Sequence, residues 1–335
     1  MSLKKPLAKR SNLQKTMAQA AVSYNQGYDA GYDDALLKMA QSPQPAQSPQ
    51  PVQTVPVVRE ARNKTSDLDY KKGLYDGGEG IVDSILPDMD ILPEISVHQI
   101  IEAGIAAMHS RFHTLLGAPE VNGEIMIALD TGAPLSVTRL GDGELLTLAQ
   151  DVVMSMEQIR KEGHFLNYAG IQLPDLAARD QLVEAIRKAD IVGIPKLRLP
   201  NFQPLAFAVF KAHGIDYRQL RLTLSTINYE LHTAGLFRGM LANRRVLVVG
   251  NSAPGLSYVL VNSGIDVTGV VAPVEGMHDI ARVMREIAVR NFDIALVGAG
   301  IPAVVIVQRI ASELGKVAID FGHLADSFVN GESTL

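Results

Sequence analysis

The chain has 335 residues, 47% of them hydrophobic and 20% charged, with a formal net charge of −5 at pH 7. This length and composition are typical of one or two globular domains, and the lack of a basic excess excludes a nucleic-acid partner. There is no cysteine, which excludes disulfides, thiolate metal ligands and cysteine nucleophiles. Tryptophan is also absent and aromatic residues make up 5%, which argues against a lectin-like module.

The first 97 residues are predicted to form an extension, largely disordered or helical. Residues 1–40 form a basic tail and a short helix, Lys15 to Gln41, that is a candidate for self-association or docking. Residues 41–97 contain a Pro/Gln-rich linker and the second copy of a Tyr/Gly repeat, residues 24–31 and 70–77. The basic tail lacks the apolar core of a secretory signal, and no apolar run approaches the ~20 residues that span a bilayer. We therefore expect a cytoplasmic protein without a transmembrane segment.

Residues 98–335 are predicted to form the catalytic domain. Apolar residues at three-four spacing predict an amphipathic helix over 97–116. The last ninety residues alternate apolar strands with helices, beginning with a strand at Arg245 to Val249, and this pattern is typical of a mostly parallel sheet covered on both faces. The predicted fold class is α/β and Rossmann-like.

The segment Ser136 to Glu144 is the strongest candidate site. It is predicted as a strand over 136–140, a glycine-rich turn and a helix from Glu144. On an extended or turn-like backbone, Asp142 and Glu144 can point the same way and hold one divalent cation. Gly141 and Gly143 let a ligand approach the backbone, and Arg139 is suited to bidentate phosphate contact. The alternative is a tight turn whose acids cap the helix.

Further candidates lie after later strands. Lys196 and Arg198 follow a buried strand, Asp190 to Ile194, at the strand end where ligands of open α/β sheets bind. Asn251 and Ser252 occupy a strand-to-helix turn, where they either contact a nucleotide or sugar hydroxyl or form a plain capped turn. Tyr229 is a candidate for lining the substrate pocket.

Two candidates lie near the C-terminus. His323 is a base, a metal ligand, a phosphate contact or a structural residue. The run Gly298-Ala299-Gly300 follows a strand, opens a helix and precedes Asp320 by about twenty residues, as in dinucleotide-binding proteins. An NAD-dependent oxidoreductase is therefore an alternative function, although only fifteen residues follow Asp320. A tight turn with Pro302 at the first helical position is the plain interpretation of the same run.

Three motifs in order along the chain resemble one family. Ser136-Val137-Thr138-Arg139-Leu140-Gly141-Asp142-Gly143-Glu144, Asn228-Tyr229-Glu230-Leu231-His232 and Ala318-Ile319-Asp320-Phe321-Gly322-His323 are similar to the pattern of bacterial GT-D-type glycosyltransferases. The resemblance implies a Rossmann-like GT-D fold, a D-x-E motif at Asp142 and Glu144, and a UDP-sugar donor with Mn²⁺ or Mg²⁺. It also implies transfer of the sugar to a glycan or glycoprotein.

The sequence thus predicts a metal-dependent glycosyltransferase. Asp142 and Glu144 would hold the metal or the ribose, Arg139 with Lys196 or Arg198 would contact the phosphates, and His323 would be the base. A catalytically silent interaction protein, tethered to a docking helix, is a third hypothesis.

Overall fold

The computed structural model describes the chain from residue 64 onward, with side chains from residue 68. The predicted helix Lys15 to Gln41, the Pro/Gln run and the first Tyr/Gly segment lie outside these residues. The described part divides into two compact units, with the boundary between Glu102 and Ala103. Helices Lys64–Asp76 (α1) and Glu79–Ile85 (α2) belong to the first unit, and Val97–Ala107 (α3) contains the boundary. Tyr75, from the second Tyr/Gly segment, donates a 2.6 Å hydrogen bond to Asp83 of α2.

The helix predicted over 97–116 is shorter than expected. It ends at Ala107 and is followed by a 3-10 turn, His109–Arg111. The chain is then extended, because the Leu116 N–H donates to the carbonyl oxygen of Leu222 at 2.8 Å and pairs this segment with the sheet. A tertiary hydrogen bond therefore overrides the helical periodicity of the sequence.

The second unit contains one sheet of seven parallel strands. The strands are Leu135–Arg139 (β1), Ile191–Ile194 (β2), Leu222–Leu224 (β3), Val246–Gly250 (β4), Val267–Val271 (β5), Ile294–Gly298 (β6) and Val317–Asp320 (β7). Their spatial order is β3-β2-β1-β7-β6-β4-β5. The α/β, Rossmann-like prediction is confirmed, and every strand pair is parallel.

Helices cover both faces of the sheet. They are Ala118–Thr131 (α4), Asp142–Ala149 (α5), Met156–Glu162 (α6), Leu176–Lys188 (α7), Gln203–Ala212 (α8), Ile227–Thr233 (α9), Leu236–Leu241 (α10), Ala253–Asn262 (α11), Ile280–Ala288 (α12), Pro302–Leu314 (α13) and Leu324–Val329 (α14). Short 3-10 turns occur at Tyr217–Gln219 and Met277–Asp279. In the described residues, no helix is both long enough and apolar enough to cross a membrane.

The two faces carry separate apolar cores. One core contains α5, α7, α8, α12 and α13, and the other contains α4, α9, α10, α11 and α14. The chain leaves β1 toward the first core through Leu145 of α5, and it leaves the adjacent β7 toward the second core through Phe328 of α14. Neighbouring strands whose connections go to opposite faces open a crevice at their carboxyl ends, where ligands of open α/β sheets bind. In this sheet β7 meets that condition with β1 on one side and with β6 on the other, and β6 also meets it with β4. The D-x-E motif follows β1, so the crevice considered below is the one between β1 and β7.

Candidate active site between strands β1 and β7

Arg139 is the last residue of β1 and joins the two sides of the crevice. Its Nε donates to the Asp320 carbonyl oxygen at 3.0 Å, and its Nη2 donates to Asp320 Oδ1 at 2.9 Å. Its Nη1 donates to the Ser225 carbonyl oxygen at 2.9 Å and to Asn228 Oδ1 at 3.1 Å. A guanidinium has five N–H donors, so four of them are engaged by protein oxygens. Bidentate contact with a phosphate, as predicted for Arg139, would therefore require these bonds to rearrange.

Asn228 completes this network from the first turn of α9. Its side chain is fully buried; it accepts from Arg139 and donates through Nδ2 to the Phe321 carbonyl oxygen at 2.9 Å. Buried polar groups need such partners, because an unpaired donor or acceptor costs about 1–3 kcal/mol. The network holds β7 and α9 at fixed positions relative to β1.

Gly322 is the position that lets the guanidinium lie against the chain after β7. Its φ of +52° is in the left-handed region, and a Cβ built there would overlap Arg139 Nη2. Both the conformation and the contact therefore require glycine.

The D-x-E motif lies on a helix rather than on an extended loop. Helix α5 begins at Asp142, two residues earlier than predicted, and Glu144 is in its first turn. Residues two apart on a helix point in different directions, which corrects the side-by-side arrangement suggested by their spacing. Glu144 Oε2 accepts the Gly141 N–H at 2.7 Å, which confirms the capping alternative for Glu144. A carboxylate has about four lone-pair sites, so this one bond leaves capacity for a ligand.

The pKa of Glu144 lies close to neutral pH. Burial raises the pKa of Glu144 to about 7, and the negative charges of Asp320 and Asp142 add to the shift. Burial also raises the pKa of Asp320, whereas the adjacent Arg139 guanidinium opposes that shift. Three carboxyl groups thus interact at the crevice beside one guanidinium, an arrangement that favours a bound cation or proton.

The remaining predicted residues follow strand carboxyl ends of the same parallel sheet. Lys196 is exposed after β2, and Arg198 donates through Nη1 to Gln203 Oε1 at 2.7 Å. His323 is exposed after β7, close enough to Asp320 to oppose the rise in the pKa of that carboxyl that burial causes. Tyr229 is half-buried beside the second core and interacts electrostatically with Arg139.

In the turn after β4, the side chains of Asn251 and Ser252 bond to neighbouring segments, and Ser252 makes no side-chain capping hydrogen bond to α11. Asn251 Oδ1 accepts the Val274 N–H at 2.9 Å, and the Ser252 hydroxyl donates to Asp326 Oδ1. Both side chains fasten the turn to neighbouring segments, and a contact with a nucleotide or sugar stays a prediction.

The Gly298/Gly300 turn is covered by another segment of the chain. A Cβ built on Gly300 would lie 3.5 Å from the Ala169 carbonyl oxygen, in ordinary van der Waals contact, so another part of the chain lies beside this turn. Asp320, the acid that would bind the ribose, is only 4% exposed and accepts from Arg139. Nothing in this geometry favours a dinucleotide.

Comparison with known proteins identifies the family. The family model described as a GT-D fold-like domain matches residues 116–328, which is more than half of the chain. The chain belongs to the GT-D fold-like family. The resemblance to GT-D-type glycosyltransferases is therefore confirmed, and the chain is a glycosyltransferase.

A solved structure also matches this chain. It is described as the highly conserved domain of unknown function 1792, with a distinct glycosyltransferase fold. The sequence identity is 16%, the match covers 66% of this chain and 83% of that one, and the TM-score is 0.45. No curated protein matches the chain.

The carboxylates of the GT-D domain fit a hard divalent cation only in part. Among the described residues, no group of three or more His, Cys, Asp or Glu side chains is arranged to hold a metal. Mg²⁺, however, commonly binds through one or two carboxylates and takes its other ligands from water and substrate phosphates. Asp142 and Glu144 each supply oxygen atoms of that kind, so either carboxylate has the chemistry to bind Mn²⁺ or Mg²⁺.

Asp320 and Asn228 are the site residues that sequence reasoning missed as partners of Arg139. They are 181 and 89 residues away from it along the chain. The available signal was that each lies in one of the two weaker family motifs, Asn228-Tyr229 and Asp320-Phe321. Only the sheet order shows that these motifs meet at one guanidinium.

Proposed function

We propose that this glycosyltransferase is metal-dependent and transfers a sugar from a nucleotide-sugar donor, most simply a UDP-sugar, to a glycan or glycoprotein. The observation that carries the proposal is the acidic crevice at the carboxyl ends of β1 and β7, where Glu144 has a pKa raised to about 7 beside Asp320 and Asp142. A cation shared with a diphosphate would offset this charge. A cytoplasmic location belongs to the same proposal.

Asp142 and Glu144 are the proposed metal ligands. When bound, Mn²⁺ or Mg²⁺ would act as a Lewis acid that stabilises the departing nucleoside diphosphate. Ionised Glu144 is the form that binds a cation, and the Gly141 N–H stabilises this form through its 2.7 Å hydrogen bond.

The donor diphosphate is proposed to lie between the D-x-E turn and the chain that follows β2. Lys196 is exposed there, two residues after β2, the strand that neighbours β1 in the sheet. It provides a positive charge. Gly141 is partly exposed and is proposed to let the diphosphate approach the backbone. Gly143 is buried against Ile301 and Phe165, which corrects the role predicted for it from the sequence. Arg139 is assigned a positioning role, because its four hydrogen bonds hold Asp320 and Asn228.

His323 is the proposed base for the acceptor hydroxyl. It is exposed at the carboxyl end of β7, beside Asp320. We propose that the nucleotide or the sugar contacts Tyr229. Asn251 and Ser252, farther along the carboxyl edge of the sheet, are proposed to share this contact.

The experiment is a binding and turnover panel with the full chain. UDP-, GDP-, CMP- and dTDP-sugars and NAD are tested by thermal shift with and without Mn²⁺, and nucleotide release is measured for each sugar. We expect stabilisation by a UDP-sugar only with Mn²⁺; a ligand at 100 times its Kd raises the unfolding free energy by about 2.7 kcal/mol. NAD is expected to give no shift.

Asp142→Asn tests the assigned ligand, with Glu157→Gln as the matched control. Glu157 is an exposed acid in the first turn of α6, as Asp142 is in the first turn of α5. We expect Asp142→Asn to lose Mn²⁺-dependent donor binding without a change in melting temperature, and Glu157→Gln to behave as the wild type. NAD binding without nucleotide release from any sugar would overturn the proposal.

A further inference from the structure

A groove separate from the β1–β7 crevice lies along α8 at the β3 side of the sheet. Its volume is about 1110 Å³, and its walls come from residues 111–114, from Arg198, from α8 and from residues 214–218. Typical sites for small molecules have volumes of roughly 300–1,000 Å³. The groove is therefore large enough for an extended ligand.

The groove is strongly cationic. Arg111, Arg198, Lys211 and Arg218 line it, and Asp216 is its one carboxylate, which gives a local charge of 4 − 1 = +3 in a chain whose net charge is −5. Asp216 accepts the Arg218 backbone N–H at 3.1 Å and forms an ion pair with the Arg218 guanidinium at 3.7 Å. Among the residues whose side chains are described, no carboxylate forms an ion pair with Arg111, Arg198 or Lys211.

Aromatic rings meet in the same groove. Aromatic residues make up only 5% of the chain, yet three of its nine phenylalanines and Tyr217 line these walls. The Tyr217 ring contacts Phe207 edge-on at 4.9 Å between centroids and His113 at 5.4 Å, and the Arg218 guanidinium carbon lies 4.5 Å from the Tyr217 centroid. These contacts hold Tyr217 in a fixed orientation beside the Arg218 guanidinium.

The groove extends from the carboxyl edge of the sheet toward its amino edge. Arg198 and Gln203 follow β2, the neighbour of β1, so they lie at the edge that carries the crevice. Helix α8 then runs for ten residues, about 15 Å, to Lys211 and the chain that enters β3. A ligand lying along α8 would thus have one end near the proposed donor site.

We propose that this groove binds an anionic oligosaccharide, which is the acceptor of the transfer reaction. Its acidic groups would pair with Lys211, Arg218 and the other cations, and the C–H faces of its sugar rings would pack on Tyr217 and Phe207. The combination of cations with fixed aromatic rings favours a sugar over an acidic peptide, which needs the charges alone. The assignment as acceptor rests on the proposed function, whereas oligosaccharide binding does not.

The test is fluorescence anisotropy with the full chain and a labelled oligogalacturonate hexasaccharide, in EDTA and without donor. The matched neutral probe is its methyl ester, which has the same rings without charge. We expect the acid to bind and the ester to bind at least about tenfold more weakly, because charge-assisted hydrogen bonds are lost. Unlabelled hexaglutamate and oligothymidylate are the competitors. We expect neither to displace the probe when it is added at the same concentration of negative charges as the oligogalacturonate.

Three variants locate the binding. The double variant Lys211→Gln/Arg218→Gln and the single variant Tyr217→Leu are each expected to weaken binding about tenfold. Arg285→Gln, at an exposed cation on α12, is expected to leave it unchanged. Circular dichroism confirms that each variant is folded.

The outcomes separate the groove from the transferase proposal. Equal binding of acid and ester, wild-type affinity in both groove variants, or equal displacement by hexaglutamate or oligothymidylate would each overturn the groove assignment. Oligogalacturonate binding with the expected variant effects, together with no transfer from any nucleotide sugar, would support the groove and overturn the proposed function.

Discussion

Replacing Glu144 with Gln should remove a pH-dependent loss of stability. The folded-state pKa of about 7 lies above the ordinary value of 4.5. The folded protein therefore holds the Glu144 proton more tightly than the unfolded chain does. This contribution to stability is fully present below about pH 4.5 and is lost as the pH rises through 7.

The size of the effect follows from the shift in pKa. One pKa unit corresponds to about 1.4 kcal/mol, so the full shift amounts to about 3 kcal/mol. Glu144 is only partly buried, and solvent screening reduces the expected difference to about 2 kcal/mol. Gln stays neutral and keeps an acceptor for the Gly141 N–H. Between pH 5 and pH 8, the free energy of unfolding of the wild type should therefore fall by about 2 kcal/mol more than that of Glu144→Gln.

Urea unfolding followed by circular dichroism between pH 5 and pH 8, in EDTA, measures this difference. Glu120→Gln is the matched control, because Glu120 accepts the Gly117 N–H at 3.1 Å in the same capping arrangement but is exposed. Parallel pH profiles for the wild type and Glu144→Gln would refute the reasoning. A larger stabilisation by Mn²⁺ in the wild type than in Glu144→Gln at pH 8 would agree with Glu144 as a metal ligand.

Three further predictions concern the network and the domain boundary. Arg139→Lys should lower the free energy of unfolding by about 3 kcal/mol in urea titrations, because one ammonium cannot replace four hydrogen bonds; wild-type stability would show that the network contributes nothing. Gly322→Ala should lower the free energy of unfolding by about 3 kcal/mol or more, because Arg139 must move. Gly315→Ala, at φ +65° with open space around it, should lower it by about 1 kcal/mol, and equal melting temperatures of the two variants would contradict this difference. Residues 98–335 should express as a folded domain that binds donor, and aggregation of this fragment would show that earlier residues complete its core.

The sequence by itself determined the strands and helices of the last ninety residues and the location of the acidic turn. Buried strands such as Val246–Gly250 consist almost entirely of apolar residues, and their alternation with helices allows only a sheet covered on both faces. The residues of the D-x-E turn needed no tertiary information either, because glycines and acids at that spacing form a local pattern.

Tertiary structure alone decided what these residues contact. Periodicity predicted a helix through Leu116, but pairing of Leu116 with β3 made the end of that segment extended. The partners of Arg139 come from β7 and α9, and no local pattern records that β7 inserts beside β1 in the sheet. Strand order is fixed by which apolar faces pack together across the whole chain. The Arg139 guanidinium, which the sequence predicts as a phosphate contact, is therefore hydrogen-bonded to Asp320 and Asn228 in the fold.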